Sequence, residues 1–184
     1  MQRVILLLTL PLIICLGAGA AFSDHGENGR QRQRYQEGRG LGEHRVPPVN
    51  NPLYRQQCGE CHMAYQPALL PAASWEAILA KLPEHFDDQV NLSSQDRAAV
   101  AAYLRSSAAE YCDCKISRKI IKSLRGDTIL RISQVPYILH KHEYDDIPAG
   151  AFARKAVGSR GNCLACHTTA NQGCYSEDLV RIPR

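Results

Sequence analysis

Apolar residues fall in two regimes along the chain. Val4 to Phe22 is an almost unbroken hydrophobic run, whereas from Ser23 onward they come in short clusters at helical spacing. Trp75, Ile78, Leu79 and Leu82 recur at i, i+3, i+4 and i+7, which predicts a short helix capped by Ser74 and stopped by Pro83. A longer helix is predicted from Ser93, with Asp96 three positions on as in a capping box and Val100, Tyr103 and Leu104 as its apolar stripe. Lys115 to Arg125 reads as a basic amphipathic helix in which Ile116, Ile120, Ile121 and Leu124 face inward and Gly126 ends the element. Thr128 to Leu139 is rich in β-branched residues but broken by Pro136, so it reads as extended structure or the start of a short helix. The expected fold is mostly α, with extended loops between short helices.

The first run is a secretory address. Arg3 supplies a basic start, and Ala18-Gly19-Ala20 fits a signal-peptidase site, so residues 1–20 are expected to leave. An uncleaved membrane anchor is the competing reading; Pro11 and the small-residue exit favour cleavage, and no later stretch is apolar enough to span a bilayer. Ile14 ahead of Cys15 does not suit a lipoprotein site, so Cys15 goes with the leader. Residues 21–46 are polar and aperiodic, a flexible leader whose His25 and His44 read as solvated side chains. Pro47-Pro48 then opens an extended stretch.

The chemistry lies in two copies of one pattern, Cys58-Gly-Glu-Cys61-His62 and Cys163-Leu-Ala-Cys166-His167. Two thiols two residues apart reach the two vinyl groups of a porphyrin, and the adjacent His presents an imidazole to the iron. Chance would supply one such motif roughly 0.01 times in a chain of this composition, and two far more rarely. A zinc site or redox dithiol is the competing reading, weakened because both copies carry the His and follow an export signal. Two covalently bound haem c groups are therefore expected, one in a lobe over residues 47–110 and one in a lobe over 111–184. The destination that fits covalent cofactor attachment and export is a bacterial periplasm.

Each iron then needs a sixth ligand or an open face. Once the leader is gone the sole Met is Met63, beside the proximal His62 and unable to reach the opposite face of the same haem. His85, just after the Pro83 break, is the candidate for the first haem. His142 is preferred over His140 for the second. Two imidazoles per iron would saturate both centres and place their potentials on the low side, the condition of an electron carrier rather than an enzyme. Trp75 and Tyr103 could line the first haem or simply pack in the core.

These residues resemble the bacterial dihaem cytochrome c proteins often called DHC, over roughly residues 48–183. The resemblance rests on Asn51-Pro-Leu-Tyr54, the Pro-Ala-Leu-Leu-Pro-Ala-Ala-Ser-Trp run from Pro67 to Trp75, Glu84-His85-Phe86, Ser117-Arg-Lys-Ile120, Arg131-Ile-Ser, and Gln172-Gly-x-Tyr-Ser176. It implies two haem lobes, the first cytochrome c-like, with His62 and His85 on one iron and His167 and His142 on the other. It further implies periplasmic electron transfer between a membrane cytochrome b of the b561 type and a soluble, oxygen-binding high-spin c-type cytochrome. Asp87 stands where that family commonly has Gly.

Three cysteines remain. A bridge between Cys112 and Cys114 would close a very short loop, so the expected disulfide joins Cys174 to one of them. Net charge is +4 and drops by one with Arg3; the propionates of two haems bring it close to neutral, which gives no support for a nucleic-acid partner. The basic helix is either a half-buried connector or a docking face for an acidic partner or for propionates. The alternative functions are a small haem peroxidase or oxygen-reducing enzyme, which needs an open iron face and an acid–base group, and a haem-based sensor. A structural relay within a larger multihaem complex would share the carrier's chemistry.

Overall fold

The computed structural model describes residues 42–144 and 147–184; the expected signal peptide, most of the leader and His25 lie outside them. Among the described residues there are five α-helices and no strand: α1 Pro52–Cys58, α2 Ala72–Ala80, α3 Ser94–Ser106, α4 Lys115–Leu124 and α5 Pro136–Tyr144. No helix among them is long and apolar enough to cross a membrane. Single 3-10 turns join them, including Pro67–Leu69, Ala109–Tyr111 and Cys163–Ala165. Helices this short are marginal alone and depend on packing.

Local signals explain most starts. Asn51 caps α1, its side chain accepting from Tyr54 N at 2.9 Å, with Pro52 preset for the first turn. Ser93 caps α3 by accepting from Asp96 N at 3.0 Å. Pro136 opens α5, so the β-branched segment before it resolves as a 3-10 turn, Ile132–Gln134, followed by helix.

Three expectations are corrected. Ser74 is not a cap: α2 begins two residues earlier, and Ala72 N is satisfied from a distance by the Glu110 carboxylate at 3.0 and 3.1 Å. Ser74 is fully buried, and its Oγ accepts from Ile129 N at 3.2 Å. On α4, Ile116, Ile120 and Leu124 are buried one turn apart, but Ile121 is exposed and Ser117 takes the inward place, donating to Ala68 O at 2.7 Å. The helix ends at Arg125, left-handed at φ 52°, one residue ahead of Gly126.

The third concerns the disulfide, which joins Cys112 to Cys114 and not either of them to Cys174. Both residues are extended, at φ −98°, ψ 120° and φ −108°, ψ 136°. Their Cα separation of 5.1 Å is shorter than the about 6.6 Å between residues two apart on an extended strand, so the chain bends at Asp113 and brings the two cysteines within the Cα range of ordinary bridges. Cys174 is a buried free thiol beside the second motif.

Helix α2 packs on α3, α1 on α3, and α4 on α5. Leu70, Val100, Leu104, Ile120 and Val135 are among the most deeply buried residues of a core cluster that runs from Val46 to Val135 and takes members from both sides of residue 110. The C-terminal segment is tied to the start of the described chain, where Val46 N donates to Gly173 O at 2.9 Å and Tyr175 N to His44 O at 2.8 Å. Gly173 has φ +72°, and a Cβ there would collide with Val46 O.

The turn after His85 carries strain. Phe86 and Asp87 are both left-handed, at φ 51° and 80°, and fold the chain so that Asp88 N meets His85 O at 3.0 Å. The Gly implied at position 87 by the resemblance matches this φ. Asp87→Gly is expected to stabilise the protein by about 1 kcal/mol, read as a rise of about 3 °C in the thermal midpoint. Alkylation of the unfolded, unreduced protein followed by peptide mapping should label Cys174 alone among Cys112, Cys114 and Cys174; label on Cys112 or Cys114 would contradict the bridge.

Candidate haem-binding site

The first motif is held by helix α1, which ends at Cys58 and carries the chain into a bend over Gly59 to His62. Gly59 is needed there, because a Cβ would run into Arg55 O one turn back. Tyr54, buried on α1, donates from its hydroxyl to Tyr65 O at 2.8 Å and so fixes the far side of the same loop. The second motif forms a 3-10 turn, Cys163–Ala165, closed by His167 N donating to Cys163 O at 2.7 Å.

Opposite each motif histidine stands another. His85 faces His62 with ring centroids 6.2 Å apart and planes 28° apart; His142 faces His167 at 6.1 Å and 75°. His140 is exposed on α5 and takes no part in the cavity lining. Two metal–nitrogen bonds of about 2 Å, plus about 1.1 Å from each nitrogen to its ring centre, put two imidazoles on one metal about 6.2 Å apart. Both pairs fit one iron each. His62 Nδ1 donates to Met63 O at 2.8 Å and His142 Nδ1 to Ile138 O at 2.7 Å, which leaves Nε2 of each as the lone-pair nitrogen.

A cavity of about 810 Å³ runs past both pairs and is lined by all four motif cysteines and all four histidines. That is at the upper end of the range of about 300–1,000 Å³ for ligand pockets. Leu70, Trp75, Leu79 and Leu104 wall it near the first motif, Phe152, Val157 and Tyr175 near the second, while Tyr103 does not line it and instead packs its ring 5.5 Å from Tyr54. Trp75 donates from Nε1 to Pro67 O at 2.8 Å, so its polar atom is satisfied while the ring faces the cavity. Arg131, Lys141 and Arg160 also reach the lining and are suited to carboxylate groups. Lys141 contacts Glu177 at 2.5 Å, and Arg131 lies 3.9 Å over the Phe86 ring. His44 lines the cavity as well.

The electrostatics suit apolar, covalent attachment. Burial pushes the Cys58 and Cys163 thiols up to about 11, the opposite of the lowered values that activate redox dithiols. Burial, followed by the facing imidazole, lowers both His85 and His167 and favours the neutral ring that binds metal. Among the described residues no group of three or more His, Cys, Asp or Glu converges as a protein-only metal site.

Three residues at the heart of this arrangement were not singled out by sequence reasoning for any role: Tyr65, Gln66 and Tyr175. Tyr65 stacks on His62 at 4.9 Å and Tyr175 sits edge-on to His167 at 5.7 Å. Tyr65 and Gln66 are signalled only by nearness to the first motif, while Tyr175 falls within the Gln172–Ser176 run that carries the resemblance.

A short-helix shell around paired Cys-x-x-Cys-His motifs, with a facing imidazole for each, defines a c-type cytochrome built for two haems. The chain belongs to the dihaem cytochrome c family, whose profile matches residues 54–175. A diheme cytochrome c from Rhodobacter sphaeroides is 38% identical, with a TM-score of 0.60, over 71% of this chain and 100% of that one. The diheme cytochrome from Shewanella baltica OS155 is 34% identical, with a TM-score of 0.59, over 73% and 94%. No protein of curated function matches the chain. Family membership brings two covalently bound haem c groups and makes the chain an electron-transfer cytochrome.

Replacing Cys163 and Cys166 together by Ala should halve the covalent haem content, leaving one haem per chain in a pyridine haemochrome assay. Retention of two would place the second attachment elsewhere.

Proposed function

We propose that this protein is an exported, periplasmic electron carrier in which each iron is held between two imidazoles, His62 and His85 on one, His167 and His142 on the other. The observation that carries this reading is the pair of facing imidazoles at 6.2 and 6.1 Å. When bound, each haem supplies a one-electron ferric/ferrous couple. Everything else is the work of the chain. His62 and His142 are oriented by the carbonyls of Met63 and Ile138. Leu70, Trp75 and Leu104 keep water from the first site, which lowers the local dielectric and with it tunes the potential. Cys58, Cys61, Cys163 and Cys166 prevent loss of the cofactors outside the cytoplasm.

His62 with His85, and His167 with His142, would hold each haem from both sides and leave no open face for peroxide or dioxygen, which favours a carrier over a small peroxidase or a gas sensor. Residues 1–20 would serve as the signal peptide, and the mature chain would have no membrane span of its own. Its electrons would come from a membrane cytochrome b of the b561 type and pass to a soluble high-spin c-type cytochrome.

Electron paramagnetic resonance of the ferric holoprotein, with carbon monoxide added after reduction, tests the ligation. Two low-spin signals are expected and no carbon monoxide shift. The two should differ: near-parallel ring planes at 28° separate the iron d orbitals and give a rhombic signal, while planes 75° apart leave them nearly degenerate and give one broad, large-g feature. A high-spin component or a carbon monoxide shift would show that His85 or His142 is not a fixed ligand and would bring the enzyme and sensor readings forward.

A further inference from the structure

Between the two attachment loops lies a set of polar contacts, buried at Gln66 and half-buried at its two tyrosine neighbours, that haem binding itself does not require. Gln66 is fully buried and uses both ends of its amide: Nε2 donates to Ala170 O at 2.6 Å, and Oε1 accepts from the Tyr175 hydroxyl at 2.6 Å. Its neighbour Tyr65 donates from its hydroxyl to Gly161 O at 2.5 Å. Gly161 precedes Cys163 and Ala170 follows His167, so two consecutive residues of the first loop grip the second loop on both sides of its motif. The aromatic members also touch the imidazoles: Tyr65 is stacked on His62 with planes 29° apart, and Tyr175 is edge-on to His167 at 61°.

We infer that Tyr65, Gln66 and Tyr175 are positioning residues for electron transfer between the two haems, a clamp that sets the spacing and mutual orientation of the two sites. The inference rests on the dihaem carrier reading above. Its physical basis is that a buried amide or hydroxyl stripped of its partner is left unsatisfied away from water, which is costly. Sliding one loop past the other would break three such bonds at once. Side-chain bonds of this kind fix a distance and an angle, which apolar packing alone does not.

Circular dichroism in the Soret band reads the clamp directly, because two nearby haems couple excitonically and the resulting two-signed band depends steeply on their separation and angle. The holoprotein should show such a couplet. Tyr65→Phe, which removes only the hydroxyl, and Gln66→Met, which keeps the volume, should each weaken or invert it, with two haems and two low-spin signals retained. Ser74→Ala is the control: it removes a buried hydrogen bond to Ile129 N elsewhere and should lower the thermal midpoint while leaving the couplet intact. An unchanged couplet in both Tyr65→Phe and Gln66→Met, with only the thermal midpoint lowered, would reduce the three residues to ordinary structural ones and overturn the clamp. So would a holoprotein with no couplet. Failure of the ligand assignment has a separate signature, a high-spin signal in the unsubstituted protein.

Discussion

The constraint on which this structure depends is the need to fill a cavity of about 810 Å³ that runs through its centre. The lining of that cavity is largely apolar, and leaving such a surface to water would forfeit burial on which the marginal stability of a small domain depends. The described helices offer no independent reserve, since the longest of them has 13 residues and the shortest 7. The chain is therefore a shell whose interior is completed by its two haems, and covalent attachment follows from that dependence: a cofactor that forms the core must not be free to leave.

Around this interior the two sites are built differently. At the first, the motif histidine is the one oriented by a carbonyl, and the facing His85 sits on a turn forced through two left-handed residues. At the second, the facing His142 lies on helix α5 and takes its orientation from Ile138 O one turn back, while the motif itself is a 3-10 turn. A helical residue inherits its direction from a regular backbone, whereas a turn residue depends on a strained local geometry. The ring planes differ accordingly, near-parallel at one site and near-perpendicular at the other. Axial-ligand geometry and the surrounding dielectric are among the levers by which a protein tunes a haem, so one chain has the means to give its two centres unequal electronic properties.

What was legible in the sequence is what local rules govern. The attachment motifs are read residue by residue, the helices by the spacing of Trp75 to Leu82 and of Ile116 to Leu124, and the Ser93 cap by its short-range hydrogen bond. What escaped is non-local. Glu110 satisfies the start of α2 from 38 residues away, which no search for a cap beside Ala72 would find. Ser74 looked like that cap because it precedes the apolar spacing, yet its hydroxyl serves Ile129. The disulfide went wrong for a different reason: loop length argued against Cys112–Cys114, but a local bend at Asp113 brings the two Cα atoms to 5.1 Å, which the count of intervening residues does not reveal. Gln66 carried no signal beyond its nearness to the first motif, since a glutamine is usually exposed and only its two contacts more than 100 residues away make it a buried hub.

Those distant contacts bear on why two haems share one small chain. The core cluster crosses residue 110, and the segments around the two motifs are joined by polar bonds rather than left to swing on a linker. Apolar packing around the macrocycles tolerates rearrangement, as cores do when volume and pattern are conserved. A buried amide with both ends satisfied does not, because each alternative arrangement leaves an unpaired group in a low-dielectric interior. Packing thus accounts for retention of the cofactors, and the polar contacts account for their register. In a carrier that handles one electron at a time through two centres, register is the property that decides whether the centres act together or as two cytochromes that happen to be covalently joined.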